Sequence, residues 1–143
     1  MKVSARNIFR GKVLNTRPGA VNAEVSIDLG GGDRLVAVVT LSSLEALGLT
    51  EGSDVVALVK APWVMVLTDA SGVRLSARNQ LSGTVKTVDV GAVNAEVCIA
   101  LPGGTEVMAV ITRDAVQDLG LKPGVAATAV IKASHIVLGV PSA

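Results

Sequence analysis

The chain has 143 residues, 50% of them apolar and 17% charged, a balance that builds a core and lies far from a disordered composition. Thirteen Lys and Arg against twelve Asp and Glu leave a net charge of +1, so no overall field draws the chain to DNA, RNA or an anionic membrane. One Trp, one Phe and no Tyr leave almost no stacking platform for single-stranded nucleic acid, and the lone Cys98 excludes an internal disulfide or a multi-cysteine metal site.

The first predicted strand covers residues 3 to 16, with Gly11 marking a bulge or a barrel corner. Its leading residues, Met1 to Asn7, are basic but lack an apolar core of signal-peptide length. A turn at Pro18-Gly19 leads into the clearest strand of the chain. There Val21, Ala23, Val25, Ile27 and Leu29 alternate with Asn22, Glu24, Ser26 and Asp28, so one face is buried and the other solvated. Gly30-Gly31-Gly32-Asp33 reads as a hairpin loop. It lacks the Lys-Ser/Thr step of a phosphate-binding loop. A third strand spans residues 35 to 40.

A short helix follows, with Ser42 and Glu45 spaced as a capping box and Gly48 placed as a left-handed C-cap. Residues 55 to 60 and 63 to 68 form strands four and five. Apolar runs such as residues 55 to 59 are too short to span a bilayer, so a soluble cytoplasmic protein is expected.

Beyond a short linker at Asp69-Ala70-Ser71-Gly72 the plan returns. Ser4-Ala5-Arg6-Asn7 recurs as Ser76-Ala77-Arg78-Asn79, and the heptapeptide from Gly19 to Val25 recurs unchanged from Gly91 to Val97, each 72 positions on. Lys60-Ala61 recurs as Lys132-Ala133 at the same offset. In the second copy Asp114 and Gln117 are the looser counterpart of the capping pair. Such a repeat divides the chain into two small units, 1–69 and 73–140, each close to the lower limit for folding alone. Three strands, a helix and two strands is the order of an OB-type barrel. The expected fold is all-β: two tandem five-stranded Greek-key barrels, each with one short helix between strands three and four.

Each copy carries a hydroxyl, an arginine, an amide, a glycine-led turn and a late lysine, mainly hydrogen-bond donors. Arg6 and Arg78 present planar forks of N–H groups. Lys60 and Lys132 end apolar strands, and Ser4, Ser76, Thr40 and Thr112 add hydroxyls. No carboxylate lies beside Ser4-Ala5-Arg6-Asn7 in sequence, as suits a small-anion site. The turn Gly19-Ala20-Val21-Asn22 offers successive backbone N–H groups, the makings of an anion nest. An ordinary hairpin connection is the competing reading. The residues just before it differ between copies, Arg17-Pro18 against Asp89-Val90. His135 and Cys98 stand at no spacing that suits a Cys–His nucleophile. Asp28, Asp33, Glu24 and Glu96 fit solvated strand faces, so no enzyme is expected.

Ser-Ala-Arg-Asn near the start, Gly-Ala-Val-Asn-Ala-Glu-Val, Val-Val-Thr before the helix and Lys-Ala-Pro-Trp together resemble the molybdate-binding Mop domain, and two copies filling the chain resemble the double-domain molbindins. The resemblance implies a cytoplasmic molybdate store assembled as a homotrimer, with tungstate as a second ligand and no cofactor. It implies an oxyanion held by Ser4, Arg6, Thr40, Lys60 and Ala61 and by their counterparts Ser76, Arg78, Thr112, Lys132 and Ala133. If the copies face each other, one site can take its arginine from one barrel and its hydroxyl from another. A second site class near a threefold axis would use Ala20, Val21, Asn22, Ala92, Val93 and Asn94. Ser134 replaces Pro62 in the second copy and adds an N–H and a hydroxyl there. Neither a DNA-binding segment nor a nucleotide-binding motif is read in the sequence, so regulator and transporter roles are not expected. The alternative is an OB-type module for nucleic acid or oligosaccharide.

Overall fold

A computed structural model describes residues 1–142. In the first repeat β1 (Asn7–Pro18), β2 (Asn22–Gly30) and β3 (Asp33–Thr40) form an antiparallel meander. Helix α1 (Leu41–Leu47) follows, then β4 (Asp54–Val59), a single 3-10 turn (Ala61–Trp63) and β5 (Met65–Leu67). The second repeat gives β6 (Asn79–Val90), β7 (Asn94–Ala100), β8 (Glu106–Thr112), α2 (Arg113–Asp118), β9 (Ala126–Ile131), a 3-10 turn (Ala133–His135) and β10 (Val137–Gly139).

Two five-stranded sheets result, ordered β10-β4-β1-β2-β3 and β5-β9-β6-β7-β8. The fifth strands are exchanged. Val137 to Gly139 pair with Leu58 to Val56 of the first repeat, and Met65 to Leu67 pair with Val130 to Thr128 of the second. The repeat boundaries at 69 and 73 therefore do not coincide with sheet membership. The cause is the 3-10 turn after β4. Ala61 and Val64 are buried, the turn packs against β8, and the chain is steered onto the other sheet. Strand five carries the same alternation whichever sheet it joins, so the sequence gives no sign of the exchange.

Period-two burial runs through the sheets. Ala23, Val25 and Ile27 of β2 face the core, as do Ala95, Val97 and Ile99 of β7. The β2–β3 hairpin turns on Gly31 and Gly32, both at positive φ (61° and 92°), as a type I′ turn requires. The bulge in β1 lies between Val13 and Asn15 rather than at Gly11. Gly11 serves the close crossing of β1 and β2, where an added Cβ would overlap the Asp28 carbonyl oxygen.

The helix caps also differ from expectation. Thr40, not Ser42, is the N-cap of α1: its hydroxyl oxygen accepts from Ser43 N–H at 3.1 Å. Thr112 caps α2 by accepting from Ala115 N–H at 3.1 Å. Each helix starts on the residue after the strand ends, so the last strand threonine becomes the cap. Gly48 is the expected left-handed C-cap, with φ 62°.

Candidate functional site

The repeated tetrapeptide lies on the seam between the repeats. Asn7 is 2% exposed and behaves like a strand: its amide donates to Met108 O at 2.8 Å and its oxygen accepts from Met108 N at 2.7 Å. Asn79 does the same to Val36, at 2.7 Å in both directions, and also donates to Ile131 O at 3.3 Å. Both asparagines thus satisfy the outward backbone groups of β8 and β3, which would otherwise be bare sheet edges. Their role is a clasp between repeats, which the sequence kit had counted as one more donor.

One step along, the arginines cross the same seam. Arg6 bonds Glu96, and Arg78 holds Glu24 with two hydrogen bonds of 2.6 and 2.8 Å. Carboxylates distant in sequence are therefore brought to both arginines. Glu24 and Glu96 are half-buried partners, not the solvated strand-face groups expected. The missed signal was their place inside the repeated heptapeptide.

This ladder fixes which strand end each donor set approaches. Asn7 sits at Met108, and Arg6 reaches Glu96, whose register partner is Val110. The amino-terminal segment therefore runs along β8 toward Thr112. The turn carrying Lys60 and Ala61 packs on β8 too. By the same logic Asn79 sits at Val36, and Arg78 reaches Glu24 opposite Val38. Lys132, Ala133 and Ser134 belong to the turn that packs on β3, the strand ending in Thr40. Arg6 and the turn after Lys60 thus lie along β8, the strand that ends in Thr112, and Arg78 and the turn after Lys132 along β3, the strand that ends in Thr40. Grouping by repeat alone joins Lys60 to Thr40, whereas the turn after Lys60 packs on the strand that ends in Thr112.

Ser4, Arg6, Thr40, Lys60, Ser76, Arg78, Thr112, Lys132 and Ser134 are exposed in the single chain, and Ala61 and Ala133 are buried. The two sides are not identical. The Thr40 hydroxyl donates to Ser43 Oγ at 2.8 Å; residue 115 is Ala, so the Thr112 hydroxyl has no equivalent acceptor. Lys60 Nζ lies 5.3 Å from the centre of the Trp63 ring, a cation–π distance. Trp63 in turn packs on its repeat counterpart His135, with ring centres 4.7 Å apart. His135 Nδ1 is buried without a partner among the described residues.

The turns at Ala20-Val21-Asn22 and Ala92-Val93-Asn94 stand at the barrel ends. Val21 and Val93 are 73% and 75% exposed. Gly19 N–H is already used by Asn22 O at 2.8 Å, and neither Gly19 nor Gly91 has a positive φ, so the alternating-handed form of a nest is absent. Beside the first turn lies a cavity of about 420 Å³ lined by Arg17, Gly19, Asn22, Glu24 and Arg78. Its counterpart, about 310 Å³, is lined by Asp89, Gly91, Asn94 and Glu96.

At the hairpin end the repeats meet again, without symmetry. Asp33 is buried and accepts from Gly103 N at 2.9 Å and Thr105 N at 3.0 Å. Burial works to raise its carboxyl, but the Thr105 hydroxyl and the two backbone N–H groups outweigh that and hold it below its ordinary value. Burial pushes the Cys98 thiol up, with Glu106 adding to the effect, which suits an inert core residue.

Two OB-type barrels that trade a strand and converge basic and hydroxyl side chains across their seam define a tandem β-barrel binding module. The TOBE domain pattern matches residues 3–66 and again 75–138, and the chain belongs to the TOBE domain family. It is 64% identical to a solved cytoplasmic molybdate-binding protein, ModG, crystallised with molybdate bound; the match has a TM-score of 0.94 and covers 99% of this chain and 100% of that one. It is 48% identical over 140 residues to the molybdenum transport protein ModE of Azotobacter vinelandii, covering 98% of this chain and 52% of that protein. It is 43% identical over 141 residues to the molybdenum-pterin-binding protein MopA of Rhodobacter capsulatus, covering 99% of this chain and 53% of that protein. The chain thus spans about half the length of these two curated relatives.

Proposed function

We propose that this chain is a cytoplasmic molybdate-binding protein that takes up and releases the oxyanion, with tungstate as a second ligand. The observation that carries the reading is the packing of Arg6 and the Lys60 turn of one repeat, and of Arg78 and the Lys132 turn of the other, onto strands of the opposite repeat, in a chain 64% identical to a protein crystallised with molybdate. A tetrahedral dianion suits such a set, because hydrogen bonds from charged donors are stronger than neutral ones. One site class uses Arg6, Lys60, Ala61 and Thr112, with Ser4; its partner uses Arg78, Lys132, Ala133, Ser134 and Thr40, with Ser76. A second class uses the turns at Ala20-Val21-Asn22 and Ala92-Val93-Asn94.

The chemistry is reversible binding for storage and buffering, not turnover. Three chains assemble about a threefold axis, which would cover the exposed apolar tips Val21 and Val93 and the exposed Met65 and Val137 on the short fifth strands. Nucleic acid is not favoured as a partner, since net charge is +1 and aromatics are 1%.

Calorimetric titration of the whole chain with molybdate, tungstate and sulfate tests the reading. Molybdate and tungstate are expected to bind with defined stoichiometry, and equimolar sulfate to leave molybdate in place. An absence of molybdate binding, or full displacement by sulfate, would overturn it.

A further inference from the structure

The two turn cavities share their heptapeptide yet differ in charge. In β1, Arg17 lies directly opposite Glu24 of β2; in β6, Asp89 lies directly opposite Glu96 of β7. Side chains paired in this way share a face, so the first pair is complementary and the second repulsive. Each glutamate also receives an arginine from the other repeat, Arg78 on Glu24 and Arg6 on Glu96. With the glutamates neutralised in this way, the residue before the turn decides the balance. Around the first cavity stand two arginines and one glutamate. The second is lined by the two carboxylates Asp89 and Glu96, and one arginine, Arg6, bonds Glu96 from outside that lining. Arg17 makes no ion pair among the described residues, so its guanidinium is free at the cavity mouth.

We infer that Arg17 and Asp89 set unequal affinities at the two turn cavities: the cavity beside Arg17 is the working oxyanion site of this class, and the cavity beside Asp89 is held weak. The inference rests on the molybdate reading above and assigns roles to two residues outside the donor set already named. A dianion meets one surplus positive charge at the first cavity and one surplus negative charge at the second. The molecule therefore fills its two ends in sequence rather than together, although backbone and heptapeptide are the same at both. Exchanging Arg for Asp alters the local charge by two units. Against a dianion about 8 Å away in a water-like medium, with physiological salt screening, that amounts to roughly a three- to thirtyfold change in affinity.

Calorimetric titration with molybdate, with bound molybdenum counted per chain, is carried out on wild type, Arg17→Asp, Asp89→Arg and Arg34→Asp. Arg34, the second residue of β3, lies at the opposite end of the β2–β3 hairpin from Asn22, so its change is a charge-matched control. Arg17→Asp is expected to weaken one class of sites about three- to thirtyfold, and Asp89→Arg to strengthen or add a class, with Arg34→Asp close to wild type. Equal weakening by Arg17→Asp and Arg34→Asp would reduce the effect to net charge and overturn the inference. So would unchanged isotherms for Arg17→Asp and Asp89→Arg in a protein that binds molybdate normally. A wild-type chain that binds no molybdate would remove the broader reading and this inference together.

Discussion

The two repeats are alike where they hold each other and opposite in charge where they face solvent beside the turns. Ser-Ala-Arg-Asn and Gly-Ala-Val-Asn-Ala-Glu-Val recur without change, and the structure brings the asparagine of one repeat to the third strand of the other and the arginine to its glutamate. Arg17 and Asp89, one residue type against its opposite, stand outside that clasp. The contrast separates two demands on a duplicated sequence. The clasp is closed twice by a pseudo-twofold relation, so a change in either copy breaks one of its two closures. A cavity mouth has no such partner and is free to diverge.

Separating the repeats tests the clasp most severely. Residues 1–70 alone lack the partner strand that completes their barrel, since β10 comes from the second repeat. Such a fragment is expected to be unfolded or to form a dimer by exchanging β5 between two copies, as strand swapping permits. Sedimentation and circular dichroism distinguish these from a folded monomer, which would contradict the exchange.

Replacing the clasp itself is next in size. Asn79→Ala leaves Val36 N–H and C=O without partners on a part-buried edge, at a cost of roughly 2–4 kcal/mol by the general scale for unmade hydrogen bonds. Asn7→Ala is expected to cost somewhat less, as Asn79 makes one more bond. At roughly 3–4 °C per kcal/mol for a chain of this size, both losses are measurable by thermal melting. Two melting points equal to wild type would deny the clasp its role.

Asp33 is the asymmetric contact, because Thr105 occupies its place in the second repeat. Asp33→Asn turns an amide N–H toward backbone donors and is expected to cost about 1–3 kcal/mol. The folded-state carboxyl titrates below its ordinary value of 3.8. Its contribution is therefore present above that value and fades as pH falls through the lower folded-state value. Wild type is expected to lose stability relative to Asp33→Asn under those acid conditions and to keep its advantage at neutral pH. A constant difference between the two across that range would contradict the assignment.

The smallest expected effect is optical. Trp63 is the only tryptophan, and Lys60 rests over its ring. An anion that draws Lys60 away should shift Trp63 emission, and Lys60→Ala should abolish most of the shift. An emission spectrum blind to saturating molybdate in wild type would argue that Lys60 stays on the ring.

Much of the fold is legible in the sequence. The buried face of Ala23, Val25 and Ile27, the hairpin glycines at 31 and 32 and the left-handed Gly48 each have one physical reading and are found, whereas Val21, at the head of the same period-two run, is exposed in the turn. Strand exchange was not legible, because burial alternates identically for a strand donated or retained. The capping box failed for a related reason: Ser42 and Glu45 fit the pattern, but Thr40 was already in extended geometry with its hydroxyl over Ser43. The donor kit is plain in the sequence as a set of residue types. Its assignment to strand ends needed the cross-repeat contacts of Asn7, Arg6, Asn79 and Arg78, which no local spacing encodes.

On the proposed arrangement each oxyanion site is built from both repeats. Double-mutant cycles on molybdate affinity test it most directly, pairing Lys60→Ala with Thr112→Val and, separately, with Thr40→Val. Circular dichroism accompanies each variant, since both threonines are helix caps. Residues sharing a site should couple by about 0.5–3 kcal/mol, whereas residues in different sites should add within about 0.5 kcal/mol. Lys60 is expected to couple with Thr112 and to be additive with Thr40. Coupling of Lys60 to Thr40 with additivity toward Thr112 would return each site to a single repeat and contradict the claim.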